Sequence, residues 1–249
     1  MERLKPRYIW GQIAPRDKRV HRGPGYQFYR IVPLDVMLVE TPLGLHELTK
    51  DRVDEAVLAH FWQCVDELVE EHVDHIVLSG VPPSAQLGRA GVRDLLSQME
   101  QRTGTPGDAP IEAVIAAMAR LGLRRIAVAS RWAPELNARV TQYLEEGGLE
   151  VAGITARGQW INDASGMSFD EGLRLAMEVG REAAQLYPNA DAILVAGGAA
   201  MAIHTIPALE EEFGKPVLTS LNAEVWNGLI RPGIIDPVQG WGTLLAAPR

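Results

Sequence analysis

The chain is predicted to be an α/β protein built around mostly parallel sheet. Short β-branched apolar runs alternate with longer segments of helical period, the signature of successive βα units. The runs end in glycine or small-residue turns that open directly into the next helix. Two of these units also echo each other: "VDHIVLSGVPPSAQ" and "ADAILVAGGAAMAI" share an acidic lead-in, a four-residue apolar strand, a small residue with glycine and a turn into a helix. Each is followed by a helix and a Gly-x-Pro segment, "TGTPGDAP" and "FGKPVLTS". Two readings stay open, a chance likeness between βα units or a true repeat. A repeat would set two similar halves face to face, with a ligand in the cleft at the carboxyl ends of the strands.

Taken in order, the expected strands are "YIWGQIA", "DVMLVET", "HIVLSG", "RRIAVAS", "EVAGITA", "AILVAGG" and "KPVLTS". Between them, 51–74, 88–103, 109–121, 133–147, 168–187, 202–214 and 222–229 carry apolar residues at i, i+3 and i+4 and are expected to be helical. Asp51 and Ser168 suit helix starts because an acid, Asp54 or Glu171, follows each by three residues. Pro110 and Pro134 suit a first turn, where a missing N–H costs nothing. Asp108 is expected to cap the helix that follows it. Residues 14–33 hold three prolines and a run of basic residues, and are expected to form a long loop over the site, a lid or binding loop.

Composition excludes several classes. The 249 residues are 47% apolar and carry a net charge of -8, with 24 Lys and Arg against 32 Asp and Glu, so no basic footprint for nucleic acid exists. No apolar run approaches the ~20 residues that span a bilayer, and "MERLKPRYIW" lacks the apolar core of a secretory signal, so the expected compartment is the cytoplasm. The single cysteine, Cys64, cannot form an intramolecular disulfide and is expected to be a buried small hydrophobe in "VLAHFWQCVDEL". No Cys and His spacing suggests zinc. Subunit number, monomer or homo-oligomer, stays open.

The strand and glycine turn at 76–84, "LGLRRIAVASRWAPELN", "PNADAILVAGG" and "IPALEEEFGKPVLTSLNA" together resemble the aspartate/glutamate racemase superfamily, nearest its maleate isomerase and arylmalonate decarboxylase branch. The similarity covers roughly residues 55 to 230. It implies two Rossmann-like, flavodoxin-like half-domains with parallel four-stranded sheets related by a pseudo-two-fold axis, and an active site in the cleft between them. The expected division is 1–107 plus 223–249 for the first half-domain and 108–222 for the second. The resemblance also implies proton or carbon dioxide transfer next to a carboxylate with neither a cofactor nor a metal. Loop thiols act there as acid, base or nucleophile, and backbone N–H groups and hydroxyls hold the anion.

The sequence departs from that pattern where chemistry is carried. The two thiol positions fall at Gly80 and Gly197, and glycine at the first of them matches the decarboxylase branch. Val81 and Pro82 stand in place of hydroxyl residues, and Trp132 in place of a tyrosine. Racemisation needs an acid and a base on opposite faces of one carbon, which two glycines cannot supply. Isomerisation by covalent addition needs a nucleophile that neither loop offers. The first loop is a poor anion nest because Pro82 and Pro83 have no N–H, leaving Ser84 as its side-chain donor. The second loop keeps consecutive N–H groups at Gly197, Gly198, Ala199 and Ala200 ahead of a helix, an arrangement that suits a carboxylate.

The reading that follows is a cofactor-independent lyase, a decarboxylase of a substituted malonate-like acid with a proton donor other than cysteine. Alternatives are an isomerase or racemase with recruited His or Tyr groups, or a non-catalytic carboxylate-binding homologue. The catalytic candidates are His204, Tyr29 and Trp132. The candidates for binding a small carboxylate substrate are Gly80, Val81, Ser84, Ser130, Arg131, Gly197, Gly198, Ala199 and Asn222. Each has a plainer role beside it. His204 suits a surface or satisfied structural histidine, and His21 with Arg16, Lys18, Arg19 and Arg22 suits a solvated basic loop. Tyr26 and Glu40 are further sources of an acid or base, Asn137 suits packing beside the 130–132 loop, and Ser220 and Asn222 suit helix caps. Trp132 suits an aromatic wall for a larger or more apolar substrate.

Overall fold

The computed structural model describes residues 5–15, 22–45, 47, 49–159, 167–197 and 201–248. Eight parallel strands among them form two four-stranded sheets. The first holds β1 (Tyr8–Ala14), β2 (Val36–Pro42), β3 (His75–Leu78) and β4 (Gly107–Asp108) in the order β2-β1-β3-β4. The second holds β5 (Arg125–Ala129), β6 (Glu150–Ile154), β7 (Ala192–Val195) and β8 (Val217–Thr219) in the order β6-β5-β7-β8. Both orders read second, first, third, fourth, so the internal echo is a repeated topology. Strands β3, β5 and β7 are apolar at every position after His75 and Arg125, and almost wholly buried, because helices cover both faces.

Helices α1 (Arg22–Ile31), α2 (Lys50–Glu70), α3 (Val81–Thr103), α4 (Pro110–Leu121), α5 (Pro134–Glu146), α6 (Phe169–Leu186), α7 (Ile206–Phe213), α8 (Ser220–Val225) and α9 (Thr243–Ala246) connect or follow the strands. A short 3₁₀ segment, Ala202–Thr205, precedes α7, and a π-turn, Trp226–Ile230, extends α8. All seven expected strands form. Among the described residues, no helix is long and apolar enough to cross a membrane.

Several expectations change. Part of the presumed loop 14–33 is helix α1: Pro24 and both glycines sit in or near its first turn, where the backbone donors are unpaired anyway. Phe28, Ile31 and Val32, at i, i+3 and i+4, are buried by the core. Residues 16–21, including Arg16, Lys18, Arg19 and His21, lie outside the described residues. Ser168 caps α6 with the reciprocal Glu171 contact of a capping box, whereas α2 starts at Lys50 behind Thr49, so Asp51 lies inside it. Helix α3 begins at Val81, well before residue 88, and breaks at Gly88 (φ 74°, ψ 162°), which explains why helical period starts late in the sequence. The N-cap of α4 is Ala109; Asp108 is the end of β4 and accepts the Ala109 N–H through Oδ1 at 2.7 Å.

Candidate active site

The carboxyl ends of β5, β6 and β7 meet in one place because β5 lies between the other two. The backbone leaving β5 is fixed by a fully internal network. Ser130 Oγ donates to Asn137 Oδ1 at 2.6 Å and accepts from the Trp132 N–H at 3.1 Å. Asn137 Nδ2 donates to the carbonyls of Trp132 and Thr155 at 3.3 and 3.0 Å. Thr155 Oγ1 accepts from Ser130 N and donates to Ser130 O, both within 2.8 Å. Ser130, Asn137 and Thr155 are all buried. These polar groups satisfy one another, so they shape the turn and leave no hydroxyl for a substrate, which corrects the binding role expected of Ser130.

That turn aims two side chains. The Arg131 carbonyl accepts N–H bonds from Arg157 and Gln159 at 3.2 and 3.0 Å, and Trp132 pairs with Gln159 in an isolated parallel bridge. Arg131, only 3% exposed, donates through Nη1 to Gln159 Oε1 at 3.4 Å. The indole of Trp132 is buried beside it. Both converge on Gly197, two residues past β7. A Cβ built there would lie 3.3 Å from Trp132 Cζ2, 3.8 Å from Arg131 Nη2 and 3.9 Å from Arg131 Nε. Gly197 has φ 103°, a conformation L residues rarely adopt. Glycine here thus follows from the backbone as well as from the absence of a thiol. Gly198, Ala199 and Ala200 lie outside the described residues; the description resumes at Met201, also left-handed at φ 53°.

The first-half loop is closed in a different way. Gly80, at φ 97°, is the N-cap of α3, and a Cβ there would fall 2.6 Å from Pro15 Cγ. No side chain larger than hydrogen fits until Pro15 moves. Val81 is buried, and Pro82 and Pro83 follow it in the first turn, so Val81 alone of these three has an N–H. Ser84 is not the donor expected: it is fully buried and its Oγ donates to the Gly80 carbonyl at 3.1 Å.

Other candidates sit elsewhere. Tyr29 is exposed on α1, and its hydroxyl accepts the Leu38 N–H of edge strand β2 at 2.9 Å, so it serves that edge rather than the ends of β5 and β7. His204 is partly buried between Tyr26 and Trp241, at ring separations of 6.1 and 5.5 Å. Burial and the charge of Arg30 lower its pKa, favouring neutral imidazole. Glu40 accepts from Gln12 Nε2 at 3.1 Å across β1 and β2. Asn222 completes a capping box with Thr219, exchanging bonds of 2.7 and 3.1 Å, and is fully buried. Its expected contact with substrate is therefore replaced by a cap. Cys64 lies 3% exposed on α2, donating to the Pro42 carbonyl at 3.5 Å, and burial raises its pKa.

Three contributors escaped the sequence reading. Gln27, fully buried on α1, accepts the Ile203 N–H at 3.1 Å and donates to the Gly23 carbonyl, tying the N-terminal helix to the segment just after the glycine turn. Gln159 holds Arg131, and Pro15 occludes Gly80. Topology alone could have found Gln159, since the residues after β6 must border those after β5; nothing local marks Gln27.

The geometry has counterparts among known proteins. A profile described as arylmalonate decarboxylase matches residues 30–245. The arylmalonate decarboxylase of Bordetella bronchiseptica is 28% identical over 219 residues, 88% of each chain. A liganded double variant of arylmalonate decarboxylase, with one glycine changed to cysteine and one cysteine to serine, superposes with a TM-score of 0.83 at 23% identity, covering 95% of this chain and 98% of that one. A variant of the Nocardia farcinica maleate cis-trans isomerase, crystallised with a covalently bound succinylcysteine intermediate, gives 0.79 at 18% identity, over 96% and 98%. The match along most of its length, together with the doubled parallel-sheet fold, means that the chain belongs to the arylmalonate decarboxylase family.

Proposed function

We propose that this protein is a cofactor-independent carboxy-lyase that removes carbon dioxide from a substituted malonate or similar small carboxylic acid, with a proton donor other than cysteine. The observation that carries the reading is the setting of Gly197, where an indole wall and a buried cation meet at a thiol-free strand end. Covalent isomerisation of the kind captured as succinylcysteine needs a sulfur nucleophile, and the one sulfhydryl in this chain is buried on α2. Two-base racemisation needs two opposed acid-base groups, whereas decarboxylation needs one stabilised carbanion and any proton source.

The carbon–carbon bond to the departing carboxylate breaks heterolytically. Its electron pair enters the retained carboxylate as an enediolate, and carbon dioxide leaves. A proton from water then adds to the α-carbon, so a malonate and one proton give a monocarboxylate and carbon dioxide. The indole of Trp132 offers apolar surface against which a departing carboxylate is poorly solvated.

The test is incubation with phenylmalonate and alkylmalonates carrying ¹³C in both carboxyls, followed by mass spectrometry of released carbon dioxide. Release that depends on enzyme concentration is expected. Deuterium exchange at an α-carbon without loss of mass, or conversion of maleate to fumarate, would instead support an isomerase or racemase; binding with no turnover would support a carboxylate-binding homologue.

A further inference from the structure

Gln27 is a fully buried polar side chain on α1, the helix between β1 and β2 of the first sheet, yet it bonds to a segment that follows a strand of the second sheet. We infer that Gln27 is a positioning residue for the reaction: by capping the segment after the Gly197 turn, it sets that turn against the Gly80 loop so that one substrate meets both. The inference rests on the carboxy-lyase reading and deepens it, because it names how an element of the first sheet fixes a strand end of the second.

Three observations lead to it. The first is where the bonds go. Gln27 Oε1 accepts the Ile203 N–H at 3.1 Å, and Nε2 donates to the Gly23 carbonyl, one turn back in α1, at 3.2 Å. Ile203 lies at the start of the Ala202–Thr205 3₁₀ segment, where a backbone donor has no partner within the helix. Met201, in the N-cap position, makes no side-chain cap bond, so the acceptor comes from another element. The second is what fixes the chain on either side of the turn. Upstream, Ala196 donates to the Ala129 carbonyl at 3.0 Å, and Gly197 follows beside Trp132. Downstream, the fully buried Ile203 is held by Gln27. The third is that the β1–α1 unit touches the other glycine loop as well. Pro15, directly after β1, has its Cγ 2.6 Å from where a Cβ on Gly80 would lie. Tyr26, next to Gln27, stacks on Phe169 at a ring separation of 5.6 Å and meets His204 edge-on at 6.1 Å, which seats α1 on the same part of the second half.

The chemistry makes this placement matter. Charge builds on the retained carboxylate as the carbon–carbon bond breaks, so donors at the strand ends lower the barrier only if they already point at that charge. A displacement of about 1 Å in such a group costs about 100-fold in rate. Gln27 acts at second hand, through Ile203, on the turn that Gly197 opens. Its loss therefore weakens the transition state more than the ground state, and shows mainly in kcat.

The experiment compares wild type with Gln27→Met, which keeps the side-chain length and loses the acceptor, and Gln27→Glu, which keeps an acceptor for the Ile203 N–H. Steady-state decarboxylation of phenylmalonate, its calorimetric binding, hydrogen–deuterium exchange and circular dichroism are read together. A buried donor left without its acceptor predicts about 5- to 150-fold lower kcat/KM in Gln27→Met, chiefly in kcat, with exchange quickened at 196–205 and in α1 and unchanged elsewhere. Gln27→Glu recovers most of the loss. A folded Gln27→Met protein with wild-type kcat and KM overturns the inference and leaves the lyase reading intact. Equal losses in folded Gln27→Met and Gln27→Glu also overturn it, because the bond to Ile203 is then not the cause. If wild type releases no carbon dioxide, the lyase reading falls and binding decides the rest: weaker binding by Gln27→Met supports the positioning role, and equal binding overturns it. Wild type that neither binds nor turns over phenylmalonate overturns both. If Gln27→Met does not fold, fast exchange of the Ile203 amide in wild type, or lost turnover in folded Gln27→Glu, overturns the inference; a protected amide with turnover retained supports it.

Discussion

Replacing Gly197 by cysteine in a Cys64→Ser background places the chain's only thiol next to Arg131. The Cβ position lies 3.8 Å from Nη2 and 3.9 Å from Nε, so the sulfur falls within about one bond length of those distances. At about 5 Å and an effective permittivity of about 20, two unit charges interact by about 3 kcal/mol. That interaction favours thiolate and carries the inflection from about 8.5 down to about 6.5. The cost is backbone strain: at φ 103° a residue other than glycine loses about 1–3 kcal/mol, a fall in Tm of about 2–4 °C per kcal/mol for a chain this long. The assay is the rate of iodoacetamide alkylation against pH, with thermal melting beside it. Adding Arg131→Met returns the inflection to about 8.5. The same inflection with and without Arg131 refutes the placement of the guanidinium.

Other substitutions probe other parts of the account. Gly80→Ala puts a methyl 2.6 Å from Pro15 Cγ at φ 97°, and overpacking with strain predicts a loss of about 2–5 kcal/mol, read by urea denaturation. Asn137→Ala leaves the Trp132 and Thr155 carbonyls and Ser130 Oγ without their shared partner, predicting about 1–3 kcal/mol of destabilisation and a fall in kcat as the turn that carries Trp132 loses its shape. On α8, burial pushes the Glu224 carboxyl well up, reinforced by Asp108, and burial brings Asp108 itself up to about 6. Carboxyls raised in the folded state contribute stability below their unfolded pKa and lose it as pH rises through the folded value. Glu224 Oε1 has no hydrogen-bond partner among the described residues. Glu224→Gln, neutral at every pH, therefore gains stability over wild type at pH 7–8 and gains little below pH 4. A difference that is flat across that range, measured by denaturant titration, contradicts the buried-acid reading.

The strands were legible because each is a short, mainly apolar run bounded by turn residues, as "AILV" is. Helix α1 was hidden by Gly23, Pro24 and Gly25, whose breaker signal outweighed the i, i+3, i+4 spacing of Phe28, Ile31 and Val32. Two-residue β4 is too short for any pattern. In the site, Gly197 and Trp132 drew notice through the family resemblance and Arg131 as the residue that ends a strand, and the strand order sets all three side by side at the ends of β5 and β7. Ser84, Ser130 and Asn222, expected to bind substrate, make local bonds for one physical reason: short polar side chains at strand ends and helix starts reach nearby backbone first, as the cap role weighed for Asn222 supposes. His204 and Tyr29 carry reactive groups, yet their neighbours engage them in an aromatic cluster and at a sheet edge. The bond from Ile203 to Gln27 spans 176 positions and has no local signature.

The central claim, resting on the proposed lyase function, is that this family member decarboxylates without sulfur. Because the chain has a single cysteine, Cys64→Ser yields a protein with none. Its steady-state decarboxylation of phenylmalonate, compared with wild type under the same conditions, is the most direct measurement. Equal kcat and KM are predicted, since Cys64 is buried on α2 with its thiol on the Pro42 carbonyl, remote in role from Gly197. Complete loss of turnover in a folded Cys64→Ser protein would contradict the account.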